Sequence, residues 1–137
     1  MIQFESKHMS TKKDSRGCLS IIEGMKDIPF EIKRIYYIHS LKETDSLIRG
    51  QHAHKELQQF FIAIHGEFDI EIDDGHEKNC YHLDNPTIGY YLKPGYWRDL
   101  TNFSSDAVCL VLASDYYHES DYIRDYQEFL DWKKSHS

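Results

Sequence analysis

Short apolar stretches bounded by polar residues recur along most of this chain and predict a protein built from β-strands. Residues 31–39 (EIKRIYYIH), 57–65 (LQQFFIAIH) and 67–72 are the clearest, because β-branched and aromatic residues dominate them. Further short strands are predicted at residues 18–23, 81–83, 87–92, 96–100 and 107–113. Asp73-Asp74-Gly75 favours a tight hairpin. Many short strands separated by turns predict an all-β fold, a jelly-roll barrel.

The two ends of the chain differ from this pattern. After Ser114 the apolar positions follow helical spacing, and they predict a short C-terminal helix over residues 120–134, with Ser120 or Asp121 as its N-cap. Residues 1–13 form a polar N-terminal segment, and residues 42–47 a polar loop. A length of 137 residues suits a single domain.

Composition and charge exclude several classes of protein. Aromatic residues make up 14% of the chain, which argues against disorder. No apolar run reaches the roughly 18 residues of a membrane span, and no basic segment leads into an apolar stretch, so neither a membrane protein nor a secretory signal is expected. With 16 basic and 23 acidic residues, the net charge of −7 argues against nucleic acid as the main partner. A small anionic ligand held by a few arginines stays possible.

The cysteines indicate a reducing environment. Cys18, Cys80 and Cys109 are odd in number and widely spaced, and none belongs to a Cys-x-x-Cys pair. The pattern therefore predicts three reduced thiols in a cytoplasmic protein rather than a disulfide framework or a zinc site.

Two histidines separated by one residue are the first feature that carries chemistry. In an extended segment, His52 and His54 lie on one face. Gln59 and Gly66 then follow at the spacing of the first motif of the cupins, jelly-roll barrels in which histidines and a glutamate hold one metal ion. Two such histidines can also be ordinary surface or core residues. The matching spacing favours the barrel interior, where a buried polar group needs a partner.

The second cupin motif is also present in altered form. Pro94-Gly95 is followed by Arg98, where metal cupins carry histidine, and by Asn102. An amide is a poor metal ligand, and a guanidinium has no lone pair to offer, so Gln59 and Arg98 predict a site without metal. Two histidines beside an arginine suit an anion or an oxyanion instead.

Four segments together resemble the dTDP-sugar 3,4-ketoisomerases. The similarity runs from about residue 14 to residue 129, and the matching segments are residues 28–38, 49–59 (RGQHAHKELQQ), 94–98 (PGYWR) and 111–126. The resemblance implies a metal-free, cofactor-independent cupin homodimer with strands exchanged between subunits. It implies that dTDP-4-keto-6-deoxy-D-glucose becomes a dTDP-3-keto-6-deoxyhexose, which an aminotransferase then uses to make 3-amino sugars for polysaccharides or antibiotics.

The resemblance also implies catalytic roles. Moving a ketone from C4 to C3 needs a proton removed at C3 and one returned at C4, and histidine suits both steps. The family pattern carries the catalytic pair onto His52 and His54. We assign His54 as the acid/base at carbon and His52 as its relay partner, and which of the two is the carbon base stays open. A tyrosine on the preceding strand helps in relatives and suggests Tyr37. Relatives often have Tyr-Tyr-x-Tyr there, whereas this chain ends that motif in His39, which shares a strand face with Tyr37.

The diphosphate and the sugar need polar partners. Arg49, just before the histidines, is the first choice for the diphosphate, followed by Arg16 and Arg124, because guanidinium groups bind phosphate in bidentate fashion. Arg98 and Gln59, at the cupin ligand positions, are expected to face the sugar. The configuration of the product at C4 stays open.

Aromatic side chains are needed beside the thymine. The candidates are Tyr90, Tyr91, Tyr96 and Trp97, although aromatics in β domains are more often core. Three other functions stay open: a non-catalytic cupin that binds a nucleotide sugar, a 3,5-epimerase-like enzyme on the same substrate, and a metal-dependent dioxygenase.

Overall fold

Strands dominate the part of the chain that the computed structural model describes, residues 2–42 and 47–136. Most of the predicted loop at residues 42–47 lies outside the described residues. The strands are β1 (Phe4–His8), β2 (Ser10–Asp14), β3 (Gly17–Ile21), β4 (Arg34–Ile38), β5 (Arg49–His54), β6 (Gln59–His65), β7 (Phe68–Asp73), β8 (Lys78–Leu83), β9 (Ile88–Leu92), β10 (Trp97–Thr101), β11 (Val108–Ala113) and β12 (Tyr122–Ile123). A 3-10 turn covers Glu119–Asp121, and helix α1 covers Tyr126–Ser135. Among these residues, no helix is long and apolar enough to cross a membrane.

Two five-stranded antiparallel sheets face each other. The first has the order β1-β9-β6-β11-β4, and the second has the order β12-β5-β10-β7-β8. Phe61 and Val111 of the first sheet share one buried cluster with Ile70, Ile72 and Leu100 of the second. The predicted all-β jelly roll with a short C-terminal helix is confirmed, and the tight turn at Gly75 joins β7 to β8 with φ of +94°.

The outer faces of both sheets are partly covered. Phe129 of α1 packs with Ala53 and Trp97 on the second sheet. On the first sheet, Ile28 and Phe30 cover a second apolar cluster. Each sheet is therefore buried on two sides near its centre, and polar side chains between the sheets need partners there.

The position of β5 between β12 and β10 assembles the polar site. His54 pairs across the ladder with Tyr122, and His52 pairs with Arg98. The register shifts between Arg98 and Asp99, opposite a stretch of β5 in which Gly50 and Gln51 both have positive φ, +86° and +54°. Such a bulge bends the strand locally and changes the direction in which the neighbouring side chains point.

The structure adds detail at both ends of the chain. The polar segment 1–13 contains β1 and all but the last residue of β2, and Phe4 is buried in the core. The helix begins at Tyr126, not at residue 120, because Asp125 is its N-cap and accepts a hydrogen bond from the Glu128 backbone N–H at 3.0 Å. Residues 119–123 instead form the 3-10 turn and β12.

The hairpin of β2 and β3, residues 10–21, stands apart from both sheets. Among the described residues these two strands pair only with each other, and their side chains are exposed except for the half-buried Ile21. Leu19 is 60% exposed. An isolated two-stranded hairpin is marginally stable in water.

Candidate active site

A cavity of about 340 Å³ opens between the two sheets and brings together residues from five strands. It is lined by Arg34, Tyr36, Ile38, Arg49, Gly50, His52, Phe61, Arg98, Leu100, Tyr122 and Arg124. Four residues predicted from the sequence line it: His52, Arg49, Arg98 and Arg124. A larger adjoining cavity of about 700 Å³ shares Arg34 and Tyr122 with it and is lined by His54.

The two imidazoles of β5 lie against each other inside the barrel. Their ring centroids are 4.8 Å apart in an edge-to-face arrangement, and the Tyr122 ring packs on both, 5.0 Å from His52 and 4.4 Å from His54. His52 Nδ1 lies 3.0 Å from the Gly50 carbonyl oxygen. A carbonyl only accepts hydrogen bonds, so Nδ1 of His52 carries the proton and Nε2 keeps its lone pair.

His54 is fully buried and is held by a carboxylate. Its Nδ1 lies 2.9 Å from Asp121 Oδ2. Within residues 2–42 and 47–136, the Nε2 atoms of both His52 and His54 are buried and have no hydrogen-bond partner. Sequence reasoning missed this role of Asp121, which looked like a helix cap, since 67 residues separate it from His54.

Burial keeps both imidazoles neutral. Desolvation, reinforced by the positive charge of Arg98, lowers the pKa of His52 to about 3. Desolvation also lowers the pKa of His54, and Arg98 and His52 add to the effect. At neutral pH the site therefore offers two unprotonated Nε2 atoms, which are proton acceptors.

Hydrogen bonds connect two residues that line the cavity, Arg98 and Tyr36, through the amide of Gln59. Arg98 is 1% exposed, and its guanidinium donates to Gln59 Oε1. Gln59 Nε2 in turn donates to the Tyr36 hydroxyl at 3.0 Å. Burial raises the pKa of Tyr36 to about 12, so the phenol keeps its proton. Since its oxygen accepts from Gln59, that proton is available to a ligand.

Tyr37 and His39 lie on the opposite face of the first sheet from this cavity. Tyr37 is 61% exposed, His39 is exposed, and their rings lie 5.3 Å apart. They share a face, as alternation predicted, but it is the outer one. Neither lines the cavity, and Tyr36 lies there instead because Arg34, Tyr36 and Ile38 are the half-buried positions of β4.

The arginines occupy different surroundings. Arg49 is exposed at the mouth of the smaller cavity. Arg124 donates to both carboxylate oxygens of Glu119, at 2.7 and 2.9 Å, and its guanidinium lies 4.2 Å from the centre of the Tyr122 ring. Arg16, at the turn of the β2–β3 hairpin, pairs with Asp14 and lies outside both cavities.

Arg34 was not predicted from the sequence. It lines both cavities, and its guanidinium lies over the rings of Tyr36 and Tyr117 at 5.5 and 5.7 Å. In the sequence, the only signal for Arg34 is that strand alternation places it on the same face as Tyr36.

The four aromatic residues proposed for thymine line neither cavity. Tyr90 stacks on Phe4 in the core. Tyr91 lies on the outer face near Phe30, Tyr96 is buried, and Trp97 contacts the helix residue Phe129. The prediction is therefore wrong for this cavity pair, because these strands direct those side chains to the core or the outer faces. Phe30 and Tyr116 line the larger cavity instead.

Comparison with known proteins shows which family this chain matches. Residues 3–134 match the family model "FdtA: WxcM-like, C-terminal". The chain is 47% identical over 127 residues to a TDP-4-oxo-6-deoxy-alpha-D-glucose-3,4-oxoisomerase from Aneurinibacillus thermoaerophilus, covering 91% of this chain and 90% of the relative.

Solved structures agree with this similarity. A 3,4-ketoisomerase from Helicobacter canadensis has a TM-score of 0.93 and 44% identity, covering 98% of this chain and 99% of that one. A histidine-to-asparagine mutant of the 3,4-ketoisomerase QdtA from Thermoanaerobacterium thermosaccharolyticum, in complex with TDP-4-keto-6-deoxyglucose, has a TM-score of 0.93 and 38% identity, covering 98% and 96%.

Proposed function

Because the chain belongs to the FdtA family of WxcM-like, C-terminal proteins, we propose that it is a sugar 3,4-ketoisomerase. Its substrate is dTDP-4-keto-6-deoxy-D-glucose, and its product is a dTDP-3-keto-6-deoxyhexose destined for 3-amino deoxysugars. The observation that carries this proposal is the meeting of an unprotonated His52, a protonated Tyr36 and a buried Arg98 in one cavity. These groups are a base, an acid and a fixed cation, which are the groups that ketone migration needs.

His52 is the acid/base at carbon in this mechanism. Its Nε2 takes the proton from C3, the C–H electron pair forms the C3–C4 double bond, and the C4 carbonyl electrons move onto O4. The resulting imidazolium later returns its proton to C4. The sequence pattern gave this role to His54, but His52 lines the cavity that Tyr36 and Arg98 share, whereas His54 is fully buried beside it. His54 is then the relay partner.

Tyr36 and Arg98 handle the oxygen atoms. The Tyr36 hydroxyl gives its proton to O4. The hydroxyl at C3 gives its proton to Nε2 of His54, which passes it on to the Tyr36 oxygen, so that O3 becomes the new carbonyl. The guanidinium of Arg98, which stays charged although burial lowers its pKa to about 10, stabilises the negative charge of the enediolate. Gln59 holds both groups through its amide. No external redox partner is needed, because protons and electrons balance within the sugar.

The nucleotide occupies the cavity mouths. Arg49 and Arg124 lie where the smaller cavity opens, and they are the cations for the diphosphate. Arg34 joins them, since it lines both cavities. The larger cavity has Phe30 and Tyr116 as aromatic surface for the thymine.

The choice between Tyr36 and Tyr37 yields a direct prediction. We expect Tyr36→Phe to lower kcat about 100-fold, because it removes the proton that O4 receives. Tyr37→Phe is the matched control: the same atom is removed from the outer face, and kcat is expected to stay within about two-fold. Steady-state measurements of kcat for both variants show which of the two tyrosines supplies the proton. Loss of activity in Tyr37→Phe alone would assign the role to the exposed tyrosine.

Proton NMR of the substrate in D2O tests the reaction itself. We expect a new 3-keto product, with deuterium at C4 where the His52 imidazolium exchanges its proton with solvent before returning it. The same reaction in H2O keeps H4, and the H4–H5 coupling reports the C4 configuration. Exchange at C3 and C5 without ketone migration would indicate a 3,5-epimerase. Binding of dTDP without any exchange would indicate a non-catalytic nucleotide-sugar protein.

A second copy of the chain completes the protein in this proposal. The β2–β3 hairpin exposes Leu19 and pairs only with itself within the described residues, so a partner surface is the expected source of its stability. Exchange of this hairpin is also the arrangement in which Arg16 can serve a substrate site, because in its own chain it lies outside both cavities. A cytoplasmic location stays an expectation from the unpaired cysteines.

Light scattering after size exclusion tests the assembly. We expect twice the chain mass of 16.3 kDa, and Leu19→Asp is expected to shift the protein towards the monomer, because it places a charge in the buried interface. A monomer at all concentrations of the wild type would contradict the dimer.

A further inference from the structure

A hydrogen bond to Asp121, a residue outside the expected catalytic set, links the second histidine to the segment just before β12. We propose that Asp121 is a positioning residue: it fixes His54 in the tautomer whose Nε2 accepts a proton and supplies the charge that lets His54 hold that proton. The proposal rests on the isomerase function, since the proton that His54 receives comes from that reaction.

Asp121 is held rigidly from several directions. Its Oδ1 accepts the Glu56 backbone N–H at 2.7 Å, and its Oδ2 accepts the Leu57 N–H at 3.3 Å and faces His54 Nδ1 at 2.9 Å. Its own carbonyl accepts the Lys55 N–H at 3.0 Å, and the next residue, Tyr122, pairs with His54 across the β12–β5 ladder. The loop that follows β5 therefore wraps the carboxylate and fixes it beside the imidazole.

The hydrogen-bond chemistry determines the tautomer of His54. An ionised carboxylate only accepts, so Nδ1 of His54 must carry the proton, and Nε2 keeps a lone pair. Within the described ranges that Nε2 is buried and without a partner. A histidine tautomer is set by the hydrogen bond that the other nitrogen makes, and here that bond comes from Asp121.

The charge of Asp121 distinguishes His54 from its neighbour. Nδ1 of His52 donates a hydrogen bond to the neutral carbonyl of Gly50, whereas Nδ1 of His54 donates to the negatively charged carboxylate of Asp121. In a site that also contains Arg98, only a carboxylate partner offsets the cost of a second positive charge on an imidazole. Burial and Arg98 keep both imidazoles neutral at rest, so the charge of Asp121 acts when His54 takes up a proton during turnover, while His52 works at carbon.

Asp121→Asn tests this role with little change of shape. The amide oxygen is expected to stay with the strong Glu56 N–H, which turns the NH2 group towards His54 Nδ1 and forces the proton onto Nε2. We expect kcat to fall about 100-fold or more, as when an orienting carboxylate is lost, with KM within about three-fold. The control is Asp125→Asn, an exposed N-cap four residues away, because asparagine caps a helix equally well; its kcat is expected to match the wild type.

A spectroscopic measurement separates positioning from simple structural support. Long-range 1H–15N NMR of histidine-labelled protein reports each tautomer without substrate, and His54→Gln identifies the signal. We expect Nδ1–H for His54 in the wild type and Nε2–H in Asp121→Asn, at an unchanged melting temperature. Wild-type kcat in Asp121→Asn, or an unchanged tautomer together with a lowered melting temperature, would overturn the proposal. If the wild type showed the expected tautomer but no ketone migration, the isomerase function would fail instead.

Discussion

His52→Asn is expected to lower kcat about 1,000-fold, because it removes the base proposed to move the proton between C3 and C4. Asparagine is close in size, and its NH2 group can still donate to the Gly50 carbonyl, so the cavity keeps its shape. The proposed contacts to the diphosphate and the thymine are made by other side chains, so dTDP is expected to bind with unchanged affinity. Steady-state kinetics and calorimetric titration with dTDP measure the two effects separately.

A matched control is available at His39, directly after β4. His39→Asn makes the same chemical change at an exposed histidine outside both cavities, and we expect wild-type kcat. Retention of more than about one tenth of the activity in His52→Asn would show that another group is the base at carbon. His54→Asn, which leaves Asp121 without its partner, is then the variant in which the full loss must appear.

Arg98→Met is expected to lower kcat about 100-fold or more, since it removes the cation proposed to stabilise the enediolate. It should also change the pH profile. Arg98 lowers the pKa of both His52 and His54, so its removal raises both, and protonation disables the base at a higher pH. Since the pKa of His52 is about 3, we expect the acid limb of the kcat profile to begin near that value and to move upward in pH in the variant, which activity measured between pH 3 and 7 would reveal.

Loss of stability must be separated from loss of chemistry in this variant. Arg98→Met leaves the buried Gln59 amide oxygen without its donor, and an unsatisfied buried acceptor costs about 1–3 kcal/mol. The double variant Arg98→Met, Gln59→Leu replaces both partners with apolar groups and is expected to recover the melting temperature but not kcat. Recovery of kcat in the double variant would mean that Arg98 serves the fold alone.

Local patterns in the sequence were sufficient for much of this site. The His-x-His spacing and strand alternation placed both imidazoles on the inner face of β5, and the altered cupin motifs identified Gln59 and Arg98 as their neighbours. These inferences succeed because the inner positions follow from a period of two, both on β5 and β10, which are adjacent in the second sheet, and on β6, which carries Gln59 in the facing sheet.

On β4, the alternation of side chains did not show which tyrosine faces the cavity. Both faces of that strand carry an isoleucine and a tyrosine, so the pattern does not distinguish Tyr36 from Tyr37, and the half-buried Arg34 on the inner face resembles a surface residue. Asp121 was missed because residues next to a helix favour capping locally, while pairing of Tyr122 with His54 of β5 keeps this stretch extended, and 67 residues separate Asp121 from His54. Only the tertiary fold contains that information.

The neutral state of the buried histidines also couples folding to acidity. An unfolded chain binds a proton at the His52 imidazole near pH 6.5, whereas the folded chain binds it only near pH 3. Between these values the unfolded state carries the extra proton, so the stability that is fully present above pH 6.5 is lost progressively as the pH falls towards 3. His54 acts in the same direction. The burial that keeps a base ready for the sugar thus makes the barrel itself sensitive to acid.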